Sequence, residues 1–291
     1  MFVAVASLLA AAAPANPAIS PSWSPSHRAA TPVSVAAAAN GVVRIPLPPP
    51  GRRLPLPAIA GPADSRRPLV VIDPGHGGAD RGASAGDDRE EKTLTLALAR
   101  AVRDELVRGG HTRVALTRDA DRLLTLEERA GIAARLGADL FVSLHLDPGS
   151  SRMDAGISVF TYGDDPSATP AARRAAAEND ADRSRGRLLG ASPARIERQP
   201  GPLTPRQARE RSTVFANLVV RESRGRLPLS ADPRGQAPFA LLDGIAAPAV
   251  LIDAGSLGDA QALASPAGRA GFARALADAI AIYFARLPPE R

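Results

Sequence analysis

Two of the four histidines in this 291-residue chain stand where an α/β fold does its chemistry. His76 lies in Asp73-Pro74-Gly75-His76-Gly77-Gly78, directly after the apolar run Leu69-Val70-Val71-Ile72. His145 lies in Ser143-Leu144-His145-Leu146-Asp147, at the end of the apolar run Leu140 to Leu144. Both runs read as buried strands, and open α/β sheets bind their ligands at the carboxyl ends of strands. Three glycines around His76 suit a backbone that bends sharply to present one side chain. His27, among Ser and Pro, and His111, after Gly109-Gly110, read as solvated residues. Two imidazoles with one carboxylate, and a fourth position left to water, make a catalytic zinc arrangement. Glu90 and Glu91 lie just ahead of a helix that starts near Lys92, and either can be the carboxylate. Either can equally be an acid favoured by the helix N-terminus. Spacing alone does not choose between them.

The elements that must hold these residues follow from periodicity. Leu94, Leu98, Val102, Leu106 and Val107 recur at helical spacing up to the Gly109-Gly110 stop. Val114 to Thr117 is a strand, Leu126 to Leu136 a helix ended by Gly137, and Ile157 to Phe160 another strand. Ala171 to Gly235 interrupts this rhythm as a helical insert, with helices expected over 171–189 and 205–222. Phe239 to Leu242 and Ala249 to Ile252 read as strands, and Ala267 to Leu287 as a closing helix. Strands alternating with helices predict one α/β domain, 69–291, with a mostly parallel, mixed central sheet covered by helices on both faces.

Charge and proline set the start of the chain apart. The formal charge is +6, yet residues 1–68 hold six Arg and one acid, leaving 30 bases against 29 acids from Leu69 onward. Thirteen of the 28 prolines also fall in 1–68. A basic excess confined to a Pro-rich segment, with only 3% aromatic residues, gives no nucleic-acid platform. Residues 16–68 read as a Pro/Ala-rich disordered linker. Phe2 to Ala13 has the length of a signal-peptide core, with small residues around Ala13-Pro14-Ala15, so 1–15 is read as a signal peptide and the location as periplasmic or secreted. The n-region lacks a basic side chain, which leaves as alternatives an Ala-rich disordered start or a start codon placed downstream of the true one. With no cysteine there is neither a disulfide nor a thiolate metal site, and no run reaches the ~18 apolar residues of an integral membrane span.

The ordered motifs resemble the zinc-dependent N-acetylmuramoyl-L-alanine amidases, in the group of the bacterial cell-separation amidases. The resemblance rests on Asp73 to Gly78 with Asp80, Gly82 and Ala83; Glu91-Lys92; Leu116-Thr117-Arg118 with Asp121; Ser143-Leu144-His145; and Gln236 to Phe239 followed by Pro248 to Ile252. It implies Zn2+ held by His76, Glu91 and His145, which selects Glu91 over Glu90. It implies a peptidoglycan substrate, cut at the amide between N-acetylmuramic acid and the L-alanine of the stem peptide, by a monomer. Where the family presents a glutamate as general base, this chain has Asp253 in Ile252-Asp253-Ala254-Gly255-Ser256, shorter by one methylene or about 1.5 Å of reach. Asp253 is therefore assigned the base, with a catalytically impaired zinc- and wall-binding relative as the alternative. Ala177-Glu178-Asn179-Asp180 resembles a helix that covers the zinc site in cell-separation members until an activator protein displaces it. A solvated helix, with Arg173, Arg174 and Arg183 pairing Glu178 and Asp182, is the other reading of that segment.

Overall fold

A computed structural model describes residues 55–85, 89–147, 156–164, 169–188, 202–256 and 261–287. The segment read as a signal peptide and most of that read as linker lie outside these residues. In chain order the elements are β1 (Ile59–Ala60), β2 (Leu69–Pro74), β3 (Ser84–Ala85), β4 (Arg89–Glu90), α1 (Glu91–Gly109), β5 (Arg113–Leu116), α2 (Leu126–Leu136) and β6 (Leu140–Asp147). Then come β7 (Ile157–Tyr162), α3 (Pro170–Leu188), α4 (Pro205–Ser223), β8 (Leu229–Ala237), α5 (Ala240–Asp243), β9 (Ala249–Ser256), α6 (Gln261–Ala264) and α7 (Pro266–Arg286). Seven strands form one mixed sheet in the order β1-β5-β2-β6-β9-β7-β8, and β3 and β4 form a separate ribbon. The central strands β5, β2, β6 and β9 are parallel, whereas β1 and β7 run antiparallel to their neighbours β5 and β9.

Strand alternation divides the core into two layers. Val70, Ile72, Val142, Leu144, Val250 and Ile252 pack with α1, α4 and α7, while Leu69, Val71, Phe141 and Leu251 pack with α2, α3 and α5. The helices are started by local signals. Thr125 caps α2 and Thr204 caps α4, each as a capping box with the residue three further on, and Pro205 and Pro266 stand in the first turns of α4 and α7. Gly110 and Gly137 end α1 and α2 in the left-handed conformation. No helix among the described residues is long and apolar enough to cross a membrane.

Three features depart from the sequence reading. The sheet begins ahead of Leu69, because Ile59 and Ala60 of the proposed linker pair with Ala115 and Val114 at the edge of the sheet. Phe239 to Leu242 is not a strand: Phe239 leads into the short helix α5, and the buried Phe239, Leu241 and Leu242 all serve the same core layer. A four-residue apolar run carries no period that separates helix from strand. Strand β8 begins inside the region read as a helical insert, where Pro233 and Gly235 hid it, and runs two residues past that region. Both are tolerated because β8 is an edge strand whose register against β7 shifts between Ile157 and Val159.

Leu98, fully buried in the layer between α1 and the sheet, is expected to cost about 2–5 kcal/mol when changed to alanine. Thr125→Ala removes only the α2 cap and is expected to cost about 1 kcal/mol. Urea unfolding of both variants checks that order.

Candidate metal centre

The adjacent parallel strands β2, β6 and β9 deliver the candidate residues to one edge of the sheet. His76 follows the end of β2, His145 lies in β6, and Asp253 in β9 stands directly opposite His145 in the strand register. Glu91 opens α1. His111 is exposed in the turn after α1, and His27 lies outside the described residues.

His76 is the only non-glycine residue with positive φ among those described, at 61°, a conformation that costs a side-chain-bearing residue about 1–3 kcal/mol. That turn aims its ring at Glu91 and His145. The His76 and His145 rings meet edge to face with centroids 4.8 Å apart. Two glycines make this crowding possible: a Cβ on Gly75 would overlap the His145 ring, and one on Gly82 would fall 2.6 Å from both Glu91 Oε2 and His76 Cδ2.

His76, Glu91, His145 and Glu178 are all buried, and one donor atom from each lies within 4.8 Å of the others. Asp80 Oδ2 is 2.9 Å from His76 Nδ1, which leaves Nε2 facing the centre. A carboxylate on the far ring nitrogen is the usual support of a metal-binding imidazole. His76 Nε2 lies 3.0 Å from Glu91 Oε2 but has no hydrogen-bond partner, and Glu178 Oε2 has none either. Glu91 Oε1 accepts from Leu146 N at 2.9 Å and is 3.2 Å from His145 Nδ1, while Oε2 accepts from Ala83 N at 2.9 Å. Glu90 instead pairs outward with Arg81 and Lys92. Burial alone would lower the His76 pKa, but the Glu91 and Asp80 carboxylates push it up to about 10. Burial opposes ionisation of Glu91, yet His76 and His145 hold it well below the usual carboxylate range. Buried imidazole and carboxylate donors with unpartnered atoms suit a divalent cation such as zinc, which this set would hold through His76, Glu91 and His145 with Glu178 as a fourth donor.

The segment of α3 that allowed two readings is docked on the centre, not solvated. Glu178 Oε2 is 3.7 Å from His145 Nδ1. Arg174, read in the sequence only as a partner of Glu178 or Asp182, also grips Asp253 in a fork, Nε to Oδ2 and Nη2 to Oδ1 both at 3.0 Å, while its Nη1 donates to Glu178 Oε1. Burial raises the Asp253 pKa, and Arg174 pulls against it without cancelling it. Asn179 fastens the helix to the second core layer, donating to Pro238 O at 2.8 Å and accepting from Ala240 N at 2.9 Å. The spacing of Arg174 and Glu178, one helical turn apart, gave their pairing in the sequence but not their common target.

Residues 70–282 match the family described as N-acetylmuramoyl-L-alanine amidase. The chain is similar to amidase AmiA of Salmonella typhimurium, with 30% identity over 74% of this chain and 76% of that protein. Its likeness to AmiA of Escherichia coli is 29% over the same shares. Among solved structures it resembles amidase AmiC2 of Nostoc punctiforme, at 27% identity and TM-score 0.52, over 76% of this chain and 98% of that one. With the match running from β2 into α7 and including every residue of the buried donor set, the chain belongs to the N-acetylmuramoyl-L-alanine amidase family.

Proposed function

We propose that this protein is a zinc-dependent peptidoglycan amidase, kept latent by α3, that cuts between N-acetylmuramic acid and the L-alanine of the stem peptide on the wall side of the membrane. The observation that carries the reading is the donor set itself: two imidazoles and a carboxylate converge at the carboxyl edge of adjacent parallel strands, with Asp253 next in register. A divalent cation bound there supplies a Lewis acid that polarises an amide carbonyl and acidifies a water molecule. His76 and His145 present their centre-facing nitrogens, and Asp80 holds the His76 ring in the tautomer this needs. Asp253 is the proton acceptor for the attacking water and returns that proton to the departing α-amino group of L-alanine.

Docked α3 opposes both tasks. Glu178 stands beside His145 where water and the substrate carbonyl must enter, and Arg174 engages both Asp253 oxygens. A partner that lifts α3 by its exposed side frees the open position and the base together. Arg173, Ala176, Ala177 and Asp180 form that exposed side.

A second reading, a wall-binding relative without turnover, is favoured by the short Asp253 side chain held by Arg174. Release of stem peptide from purified sacculi in the presence of zinc separates the two. Turnover is expected to be low in the full chain and to rise at least tenfold in Arg174→Ala/Glu178→Ala, and His76→Ala in that background is expected to abolish it. Asp253→Asn in the same background is expected to lower turnover by about 10²–10⁴-fold, the range for loss of a general base. No release from the double variant, with strong release after Asp253→Glu is added to it, would instead establish the second reading.

A further inference from the structure

Behind the donor set lies a second polar cluster that takes no part in the chemistry above. Asp73, fully buried at the end of β2, accepts from Thr117 Oγ1 at 2.5 Å, Arg129 Nη1 at 2.6 Å and Ser143 Oγ at 3.0 Å. Arg129, on α2, also donates to Pro74 O and His76 O, both at 2.9 Å. Arg118, fully buried after β5, donates to Pro74 O at 3.0 Å, Gly75 O at 2.8 Å and Lys92 O at 2.9 Å. Two guanidinium groups thus take three consecutive carbonyls, those of Pro74, Gly75 and His76.

We propose that Arg129 and Arg118 are positioning residues for the metal, setting its donor geometry by holding the main chain of the ligand-bearing segments. His76 must stay in a left-handed conformation to aim Nε2 inward, and its own carbonyl is held by Arg129. Arg118 joins the His76 turn to the first turn of α1 through Lys92 O, next to Glu91. Ser143, on the same strand as His145, closes the set through Asp73. The three segments that bear His76, Glu91 and His145 therefore meet in one hydrogen-bonded cluster. A planar guanidinium suits this task because it offers donors in several fixed directions, whereas an ammonium is a point charge. Keeping two buried cations beside one carboxylate is costly unless their donors are fully used, and here the carbonyls of the turn use them.

The inference rests on the metal-centre reading, and its test reads metal affinity, not amidase activity. Co2+ is titrated into the full-length chain and into Arg129→Met, Arg129→Lys and the charge-balanced Arg129→Met/Asp73→Asn, following the visible absorption band, with thermal unfolding of each metal-free protein alongside. Arg129→Met is expected to bind Co2+ about 10–100-fold more weakly and with a shifted band, the scale for outer support of a metal ligand. Arg129→Lys keeps the charge opposite Asp73 but cannot span Pro74 O and His76 O, so it is expected to bind more weakly than wild type and better than Arg129→Met. It carries the test if Arg129→Met does not fold, since wild-type affinity and band shape in Arg129→Lys overturn the proposal. Wild-type binding by the charge-balanced pair also overturns it, because Arg129 is then only a counterion for Asp73. Wild-type binding with unaltered variants defeats this inference alone, whereas no Co2+ uptake by the wild-type chain defeats the metal-centre reading and this inference with it.

Discussion

Two carboxylates, Glu91 and Glu178, share one buried patch, and their mutual repulsion is bearable only with positive charge between them. In the protein as described that charge comes from the imidazoles. His76 is pushed up to about 10 and His145 is also raised, and both in turn hold Glu91 and Glu178 down. A divalent cation would replace two protons with two charges on one centre, so residues that form a self-consistent metal-free cluster are also a set that could hold a metal. The surrounding architecture follows from that requirement. Gly75 and Gly82 admit the rings, Asp80 orients one of them, and main-chain amides of Ala83 and Leu146 fix the Glu91 carboxylate between the two histidines.

The helix α3 is bound into the same electrostatic balance. Arg174 brings one further cation and Glu178 one further anion, so the helix docks without changing the net charge of the buried site. It does change what the site can do, because Asp253 is engaged on both oxygens. Paired buried charges contribute little net stability once desolvation is counted. The helix is held largely by such pairs, by the two hydrogen bonds of Asn179 and by a few alanines, a weaker hold than a packed apolar face gives. Strand β6, by contrast, is buried along its apolar residues and framed by β2 and β9. The strands that carry the histidines and the helix docked on them are thus held by different physics.

Much of this was legible in order along the chain. The glycine-framed His76, the strand-end His145 and the helix-opening acids are local patterns, and local patterns report strand ends, tight turns and helix starts. The same holds for α2, where Thr125, Glu128 and Gly137 mark both ends. Local pattern failed where tertiary context overrode it. Strand β8 tolerates Pro233 only because it lies at an edge, and the apolar run at Phe239 became a helix because one core layer takes all of its side chains.

From residue types and order alone come the α/β class, the presence of two imidazoles at strand ends, and the shortened carboxylate at position 253. Those depend on short-range sterics and on the period of apolar residues, which any segment carries within itself. Whether Glu178 is solvated or faces the centre, and where Arg174 directs its charge, needed the packed molecule. Arg174 and Asp253 are 79 residues apart and meet because α3 packs across the edge on which β9 ends. Asp73 and Arg118 appear in sequence in two separate motifs and Arg129 as an ordinary base, with no sign that the three meet. Their role arises from burial, since in water those charges would be separately hydrated, and inside the fold each must find its partners among whatever the topology brings near.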